Sequence, residues 1–285
     1  MSGAVAAGSV GEALTSAREA LRAAGVDSPS LDSELLLAEA TGRDRAALAA
    51  HPEEPVDAAA ARRFGAMVRR RLQREPLAYI TGRRGFRRIE LAVDGRVLIP
   101  RPETELLVEL ALEREPATLL DVGTGSGAVA LACAEELSAV EVTATDVSEQ
   151  ALALARLNAE RLGLTGRVSF VSGSLPAPGS SFDLVLANLP YVPEGDWAGL
   201  APEISRYEPR GALLSGADGL DAIRALVRSL APRSGTIATA AVGLEIGHGQ
   251  GAAVAALLER AGFVRAEVRA DLAGLQRCVV AEAPG

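Results

Sequence analysis

The sequence contains no lysine: its 29 basic residues are all arginine, set against 37 acidic residues for a formal net charge of −8. A chain of that sign is a poor general binder of nucleic acid, whose phosphates a cationic surface has to neutralise. A local arginine face is still compatible with it. Cysteine is scarce as well. Cys133 and Cys278 form no disulfide framework and no metal cluster, and each sits in an apolar stretch that suits a buried free thiol. No apolar run has the length of a membrane span, and residues 1–5 lack the basic stretch that opens a signal peptide. The expectation is a cytoplasmic protein that binds neither membrane nor metal. What the chain does have is 48% apolar residues over 285 positions. That is too apolar for disorder and enough to bury one large core or two modest ones.

Residues 10–75 read as helices separated by polar breaks. Apolar residues recur at helical spacing through 11–24 (Ala13, Leu14, Ala17, Leu21), 30–40 (Leu31, Leu35, Leu36) and 58–74 (Phe64, Met67, Val68, Leu72). A helical domain over 1–85 follows. Residues 88–93 and 96–99 read as a short hairpin around Asp94-Gly95, within a linker over 86–105. A helix is expected at 103–113, where Thr104 can serve as the cap and Glu105 lie at the N-terminus. From 106 to 285, seven apolar strands alternate with amphipathic helices at 127–137, 149–162, 219–230 and 250–261. This alternation predicts an α/β domain with a Rossmann-like, mostly parallel sheet, helices on both faces and an antiparallel hairpin at the end.

Three features carry chemistry. Asp121-Val122-Gly123-Thr124-Gly125-Ser126-Gly127 stands at the exit of the first strand of this sheet, where glycines let the backbone turn sharply and a ligand come close. Asp146, just past the next strand, can accept hydrogen bonds from both hydroxyls of a ribose. Gly123, Gly125 and Ala128 with Asp146 satisfy the dinucleotide fingerprint, so a nicotinamide-dependent oxidoreductase is one reading. Asp121 two residues before the first glycine, and the third glycine Gly127, suit S-adenosyl-L-methionine better, because no diphosphate then has to be cradled.

The third feature is Asn188-Leu189-Pro190-Tyr191, directly after the apolar strand 182–187. It resembles the Asn-Pro-Pro-Tyr signature of methyltransferases that modify planar amino groups: adenine N6, cytosine N4 and the glutamine side-chain amide. In all three the nitrogen lone pair is delocalised and weakly nucleophilic. An Asn side-chain oxygen and the following backbone carbonyl can accept its two N–H bonds and turn the lone pair toward the methyl donor. Pro190 fixes the turn and Tyr191 can pack on the planar group. Leu189 stands where Pro is usual, but only its carbonyl is needed. An N6-adenine methyltransferase acting on rRNA or DNA shares this loop.

The flanking strings separate these candidates. Glu75-Pro76-Leu77-Ala78-Tyr79-Ile80-Thr81-Gly82, Leu98-Ile99-Pro100-Arg101-Pro102-Glu103-Thr104-Glu105 and Tyr207-Glu208-Pro209-Arg210-Gly211-Ala212-Leu213 occur in order. Gly216-Ala217-Asp218-Gly219-Leu220 and Glu245-Ile246-Gly247-His248-Gly249-Gln250-Gly251 follow. In this order they resemble the release factor glutamine methyltransferases, the PrmC/HemK family, over residues 10–282. The resemblance implies a class I S-adenosylmethionine-dependent methyltransferase domain at 106–285 and a helical release-factor-recognition domain at 1–85. It implies transfer of a methyl group to the glutamine amide nitrogen (N5) in the Gly-Gly-Gln tripeptide of class I peptide chain release factors. Separately, the chain is expected to be a monomer, and its acidic balance to leave it without stable nucleic-acid binding. By match to the family pattern, Gly123, Thr124, Gly125, Ser126, Gly127, Asp146 and Asn188 hold the cofactor, with Ser174 and Leu175 on its adenine side. Ser174 replaces the usual acidic residue. Asn188, Leu189, Pro190 and Tyr191 hold the glutamine, and Asn188, Pro190 and Tyr191 are the catalytic candidates. Arg63, Arg70 and Arg74, flanked by Arg62 and Arg69, fall on one side of the 58–74 helix and read equally as a docking surface or as a solvated face. Trp197 reads as a cover over the site, a partner contact or core. His248 and His51 read as loop residues.

Overall fold

The computed structural model describes residues 8–232 and 235–284. Its chain separates into two units, Met1–Gly82 with Ala201–Tyr207, and Arg83–Leu200 with Glu208–Gly285. The first unit holds α1 (Val10–Ala23), α2 (Pro29–Thr41), α3 (Arg45–Ala50), α4 (Ala58–Leu72) and α5 (Leu77–Thr81), joined by the distant α9 (Pro202–Tyr207). Helix starts are set by side chains that satisfy otherwise unpaired N–H groups. Ser9 and Glu12 form a reciprocal capping box at α1, and Asp44 and Asp57 cap α3 and α4. Leu36, Leu37, Leu48, Phe64 and Ile80 close the core around Val10 and Ala17.

Arg62, Arg63, Arg69 and Arg70 are exposed, but most arginines in and just after α4 are engaged within their own unit. Arg63 donates to the Ala40 carbonyl at 2.6 Å, and Arg70 to Glu75 at 2.6 Å and to the carbonyls of Tyr79 and Ile80. Arg71 is buried, bonded to Asp32 at 2.6 Å and to Glu203 at 2.9 Å. Arg74 clasps both oxygens of Glu203 and donates to the Gly25 carbonyl. Helical spacing puts these residues on one side, as expected. Short helices, however, leave carbonyls without partners at their ends, and long guanidinium forks reach back to them. Arg62 and Arg69 are the two exposed members without such a bond. The Tyr207 hydroxyl adds a bond to the Gln73 carbonyl, which further fastens α9.

The second unit begins with a hairpin, β1 (Arg83–Phe86) and β2 (Ile89–Ala92). Its turn falls on Arg87-Arg88, not on Asp94-Gly95. Arg87 takes a positive φ of 47°, held by its N–H on Glu105 and its guanidinium on Glu136 at 2.6 Å. Those carboxylates are remote in sequence, so local composition does not announce them. Asp94 instead spends its carboxylate on the N–H and guanidinium of Arg96, and no strand follows. The buried amide of Asn158 ties the end of β2 down, exchanging two bonds with the Ala92 backbone and donating to the Ser126 carbonyl.

The α/β body then runs α6 (Glu105–Arg114), β3 (Thr118–Val122), α7 (Ala128–Glu136), β4 (Glu141–Asp146), α8 (Glu149–Arg161), β5 (Val168–Ser172), β6 (Ser181–Ala187), α10 (Asp221–Leu230), β7 (Ala238–Glu245), α11 (Gly251–Ala261), β8 (Val264–Ala270) and β9 (Gln276–Glu282). The seven strands lie in the order β5-β4-β3-β6-β7-β9-β8. β3 to β7 are parallel, and β9 inserts antiparallel between β7 and the edge strand β8. Thr236 and Ile237 lead into β7, with Ile237 buried and the Thr236 carbonyl accepting the Gly179 N–H.

Strand alternation sorts the two faces. Leu120, Val122, Val185, Ala187, Val242 and Leu244 join Ile223, Leu226, Val254 and Leu258 of α10 and α11 in one core. The opposite set turns to the other side: a Cβ on Gly243 would stand 2.5 Å from Leu110 of α6 and 2.9 Å from Leu186. Strand order reverses between β3 and β6, which opens a crevice at their carboxyl ends.

In the helical unit, Asp32→Ala leaves the buried Arg71 guanidinium short of a partner. It is expected to cost about 3 kcal/mol, read by urea titration. Burial alone would raise the Glu203 carboxyl, but the bonds from Arg74 and Arg71 win and hold it below its ordinary value. A depressed folded pKa contributes stability fully above the ordinary carboxylate range and loses it as pH falls, so the unit is expected to weaken below about pH 4.

Candidate active site

A cavity of about 570 Å³ occupies the crevice, within the size range of small-molecule sites. Gly123 to Ser126 line it from the end of β3, Asp146 from β4, Ser174 and Leu175 from the loop after β5, and Asn188, Leu189 and Pro190 from the loop after β6. Gly127 is not on the wall but starts α7 in a left-handed conformation, as Gly123 and Gly125 also adopt. Tyr191 is not on the wall either. Arg96, Val97, Leu98 and Pro100 supply a further side, from the segment read as a hairpin strand.

The glycine loop is fastened from within. Asp121 is buried, and its Oδ2 accepts the Thr124 hydroxyl at 2.6 Å and the Ala130 N–H at 3.2 Å. Burial pushes its carboxyl up to about 6 against those two bonds. Asp146 accepts the Gly125 N–H through Oδ2 at 2.9 Å and the Ser148 N–H through Oδ1 at 2.8 Å. The N–H groups of Gly123 and Thr124 go to the Thr145 carbonyl, and that of Gly127 to Thr124. A diphosphate would find these donors already used and two carboxylates beside it. A cation would find the carboxylates, and each Asp146 oxygen keeps a lone pair for a hydroxyl.

The Asn188 loop is held at both ends. Asn188 donates through Nδ2 to the Thr104 hydroxyl at 3.0 Å. Thr104 makes no side-chain cap at α6. Its hydroxyl is used on Asn188 instead, which overturns the capping expectation. The Tyr191 carbonyl accepts from Gln250 Nε2 at 3.0 Å, and Gln250 Oε1 accepts the Gly247 N–H at 2.8 Å. The Tyr191 hydroxyl turns inward to Glu245 Oε1 at 3.4 Å, and burial pushes it well above its ordinary pKa, so it stays protonated. Glu208 is buried, accepts the Ile99 N–H and pairs with Arg101. This makes Arg101 a brace. Trp197 is half-buried with the Arg210 guanidinium 5.0 Å from its ring centroid. His248 and His51 are exposed.

The family model described as PrmC N-terminal domain matches residues 12–82, and that described as methyltransferase domain matches 119–211. The release factor glutamine methyltransferase of Cereibacter sphaeroides is 43% identical over 278 residues, covering 96% of this chain and 98% of its own. That of Moorella thermoacetica is 43% identical over 279 residues, covering 95% and 97%. The chain belongs to the release factor glutamine methyltransferase family. Among solved structures, the hMettl16 catalytic domain in complex with an RNA hairpin superposes with a TM-score of 0.56 over 68% of this chain and 76% of its own, at 13% identity. A methyltransferase from Pyrococcus furiosus gives 0.50 over 67% and 87%, at 16% identity. Both likenesses are of fold. Among the described residues, no helix is long and apolar enough to cross a membrane.

In this methyltransferase the strings that carried the resemblance become braces. Gln250 and Gly247 hold the Tyr191 carbonyl, Glu208 holds the segment before α6, and Gly219 lies against the Asn188 loop. A Cβ on Gly219 would come 2.1 Å from the Tyr191 carbonyl oxygen and 2.8 Å from Gln250 Nε2. Gly219 also takes a φ of +78°. Gly219→Ala is therefore expected to displace the loop at a cost of about 1–3 kcal/mol, seen as a lower melting temperature together with slower methyl transfer.

Proposed function

We propose that the chain methylates the side-chain amide nitrogen (N5) of the glutamine in the Gly-Gly-Gln tripeptide of class I peptide chain release factors, with S-adenosyl-L-methionine as donor. The observation that carries this reading is identity of 43% along nearly the whole chain to release factor glutamine methyltransferases. When bound, the donor supplies an electrophilic methyl group on a cationic sulfur. The fastened glycine loop and the two carboxylates of the cavity favour such a cation. Asp146 would accept the ribose hydroxyls, the backbone from Gly123 to Gly127 would lie along the amino-acid portion, and Ser174 and Leu175 would border the adenine.

Asn188 Oδ1 and the Leu189 carbonyl would each accept one N–H of the substrate amide, which orients the nitrogen toward the methyl group. The gain comes from alignment and exclusion of water. A nitrogen so held would take the methyl group while the neutral thioether kept the carbon–sulfur electron pair, and the extra proton on nitrogen would pass to solvent. Pro190 shapes the loop. Tyr191, turned to Glu245, would act as its anchor rather than as a cover on the glutamine. The helical unit, which matches the PrmC N-terminal domain, would recognise the release factor in the cytoplasm, with the chain working as a monomer. Of the α4 arginines, Arg62 and Arg69 would be available for that contact.

Asn188→Ala removes one acceptor from a buried amide, about 1–3 kcal/mol in binding. Misalignment adds to this, so methyl transfer is expected to fall on the order of a hundredfold or more. Mass spectrometry of the release factor glutamine after timed incubation checks it; near-normal turnover would remove Asn188 from the mechanism. Asp146→Ala loses charge-assisted bonds of about 1.5–3 kcal/mol. The dissociation constant of S-adenosylhomocysteine, read by calorimetry, is expected to rise roughly tenfold to a hundredfold, and an unchanged constant would put the ribose elsewhere.

A further inference from the structure

Thr104 ends the single 3₁₀ turn Pro102–Thr104 and stands where α6 needs a cap. A capping threonine takes an extended backbone, so that its oxygen reaches the free N–H groups of the first helical turn. Thr104 is helical instead, at φ −65° and ψ −19°, and its hydroxyl caps nothing. The residue is 4% exposed and lies on the cavity wall. There its oxygen receives Asn188 Nδ2 at 3.0 Å. The turn that carries it is held from both ends. Glu208, itself buried, accepts the Ile99 N–H at 3.3 Å and pairs with Arg101, whose carbonyl accepts the Thr104 N–H at 3.2 Å. Beyond Thr104, the Glu105 carboxylate accepts the Arg87 N–H at 3.1 Å. Glu208, Arg101 and Arg87 are all off the cavity wall, so this bracing serves the residue they place there.

We infer that Thr104 is a positioning residue for methyl transfer: its hydroxyl holds the NH₂ end of the Asn188 carboxamide while the oxygen end serves the substrate amide. This rests on the reading of Asn188 as the holder of that amide. The two ends of a carboxamide have nearly the same shape, and which way it turns follows from its partners. The substrate nitrogen offers N–H groups alone, so only the oxygen of Asn188 can serve it. The NH₂ then has to be satisfied on its other side by a group with a lone pair. Among the described residues, its one such bond is to the Thr104 oxygen. A hydroxyl can also donate, and bound substrate, with only donors to offer, selects the arrangement in which Thr104 accepts. Without the hydroxyl, that arrangement leaves the NH₂ unpaired in a closed site. Half a turn of the amide would relieve this and set donors against the donors of the substrate. The methyl of Thr104 adds stiffness, because a β-branched side chain has few χ1 choices.

The test uses the full chain with purified release factor and compares wild type with Thr104→Val, Thr104→Ser, Asn188→Ala and the double variant Thr104→Val with Asn188→Ala. Glutamine methylation is followed with radiolabelled S-adenosylmethionine, which reads slow variants, and each protein is titrated with S-adenosylhomocysteine. The nearly isosteric Thr104→Val is expected to lower kcat by on the order of tenfold, with cofactor affinity held within about twofold. Thr104→Ser keeps the hydroxyl and is expected to stay within about threefold of the wild-type rate. In the Asn188→Ala background, Thr104→Val is expected to cost less than about twofold more, because a residue that acts through Asn188 then has nothing left to position. A merely structural role would slow both backgrounds alike. Wild-type kcat in Thr104→Val overturns the inference. So does an equal loss in the two backgrounds, or a loss in Thr104→Ser as large as in Thr104→Val. If Thr104→Val does not fold, Thr104→Ala takes its place in the same comparison. Absence of methyl on the release factor glutamine with wild type is a different result, which overturns the functional reading and this inference with it.

Discussion

The register between β3 and β6 is the constraint on which the site depends. Leu119 to Val122 pair in parallel with Leu184 to Ala187, so Gly123 and Asn188 leave the sheet together at one edge. The side chain that Gly123 lacks would stand 3.0 Å from Leu189 and 3.7 Å from the Asn188 carbonyl. A slip of one residue would turn every side chain of β3 to the opposite face. Asp121 would then enter the apolar core under α10 and α11, and the Thr124 hydroxyl and the α7 N–H that satisfy it would be on the wrong side. Burial of one carboxylate with its two donors therefore specifies the pairing, and the pairing brings the glycine loop to the Asn188 loop.

Much of this is legible in the residues because it is local. Strand and helix periods identify the sheet, and each loop with chemical content follows directly on an apolar strand. What escapes local reading depends on partners far apart in the chain. Thr104 looks like a helix cap because Thr before Glu usually is one; its real partner, Asn188, lies 84 positions away. Asp94-Gly95 looks like a hairpin turn, yet Glu105 and Glu136 hold Arg87 in a left-handed turn that composition disfavours. Tyr191 looks like a face for a planar substrate, and the carboxyl that turns it inward, Glu245, comes from the next strand in the sheet. The family strings contain these braces, but a string carries no geometry until β6 and β7 are placed side by side.

Charge is arranged on a similar plan. With arginine as the sole strong cation, the protein uses forked donors where loose surface charges would be the simple expectation. Arg63, Arg70, Arg71 and Arg74 end on carbonyls and carboxylates of their own unit. Arg101 and Arg87 brace the α/β unit in the same way. A guanidinium satisfies two acceptors at once in a fixed plane, so each of these residues works as a rivet between segments. A lysine, with a point charge on a flexible stem, would satisfy fewer of these acceptors.

Glu203 gives the helical unit a timetable. Arg74 lies 129 positions before it, and the buried Arg71 shares it. During synthesis α1 to α5 emerge first, yet two of their guanidinium groups have no Glu203 to meet until β3 to β6 and the Asn188 loop have also been made. At roughly 5–20 residues per second, the wait is about ten seconds. The helical unit is thus completed by a helix that follows the Asn188 loop, and its full stability arrives only once that helix has been made.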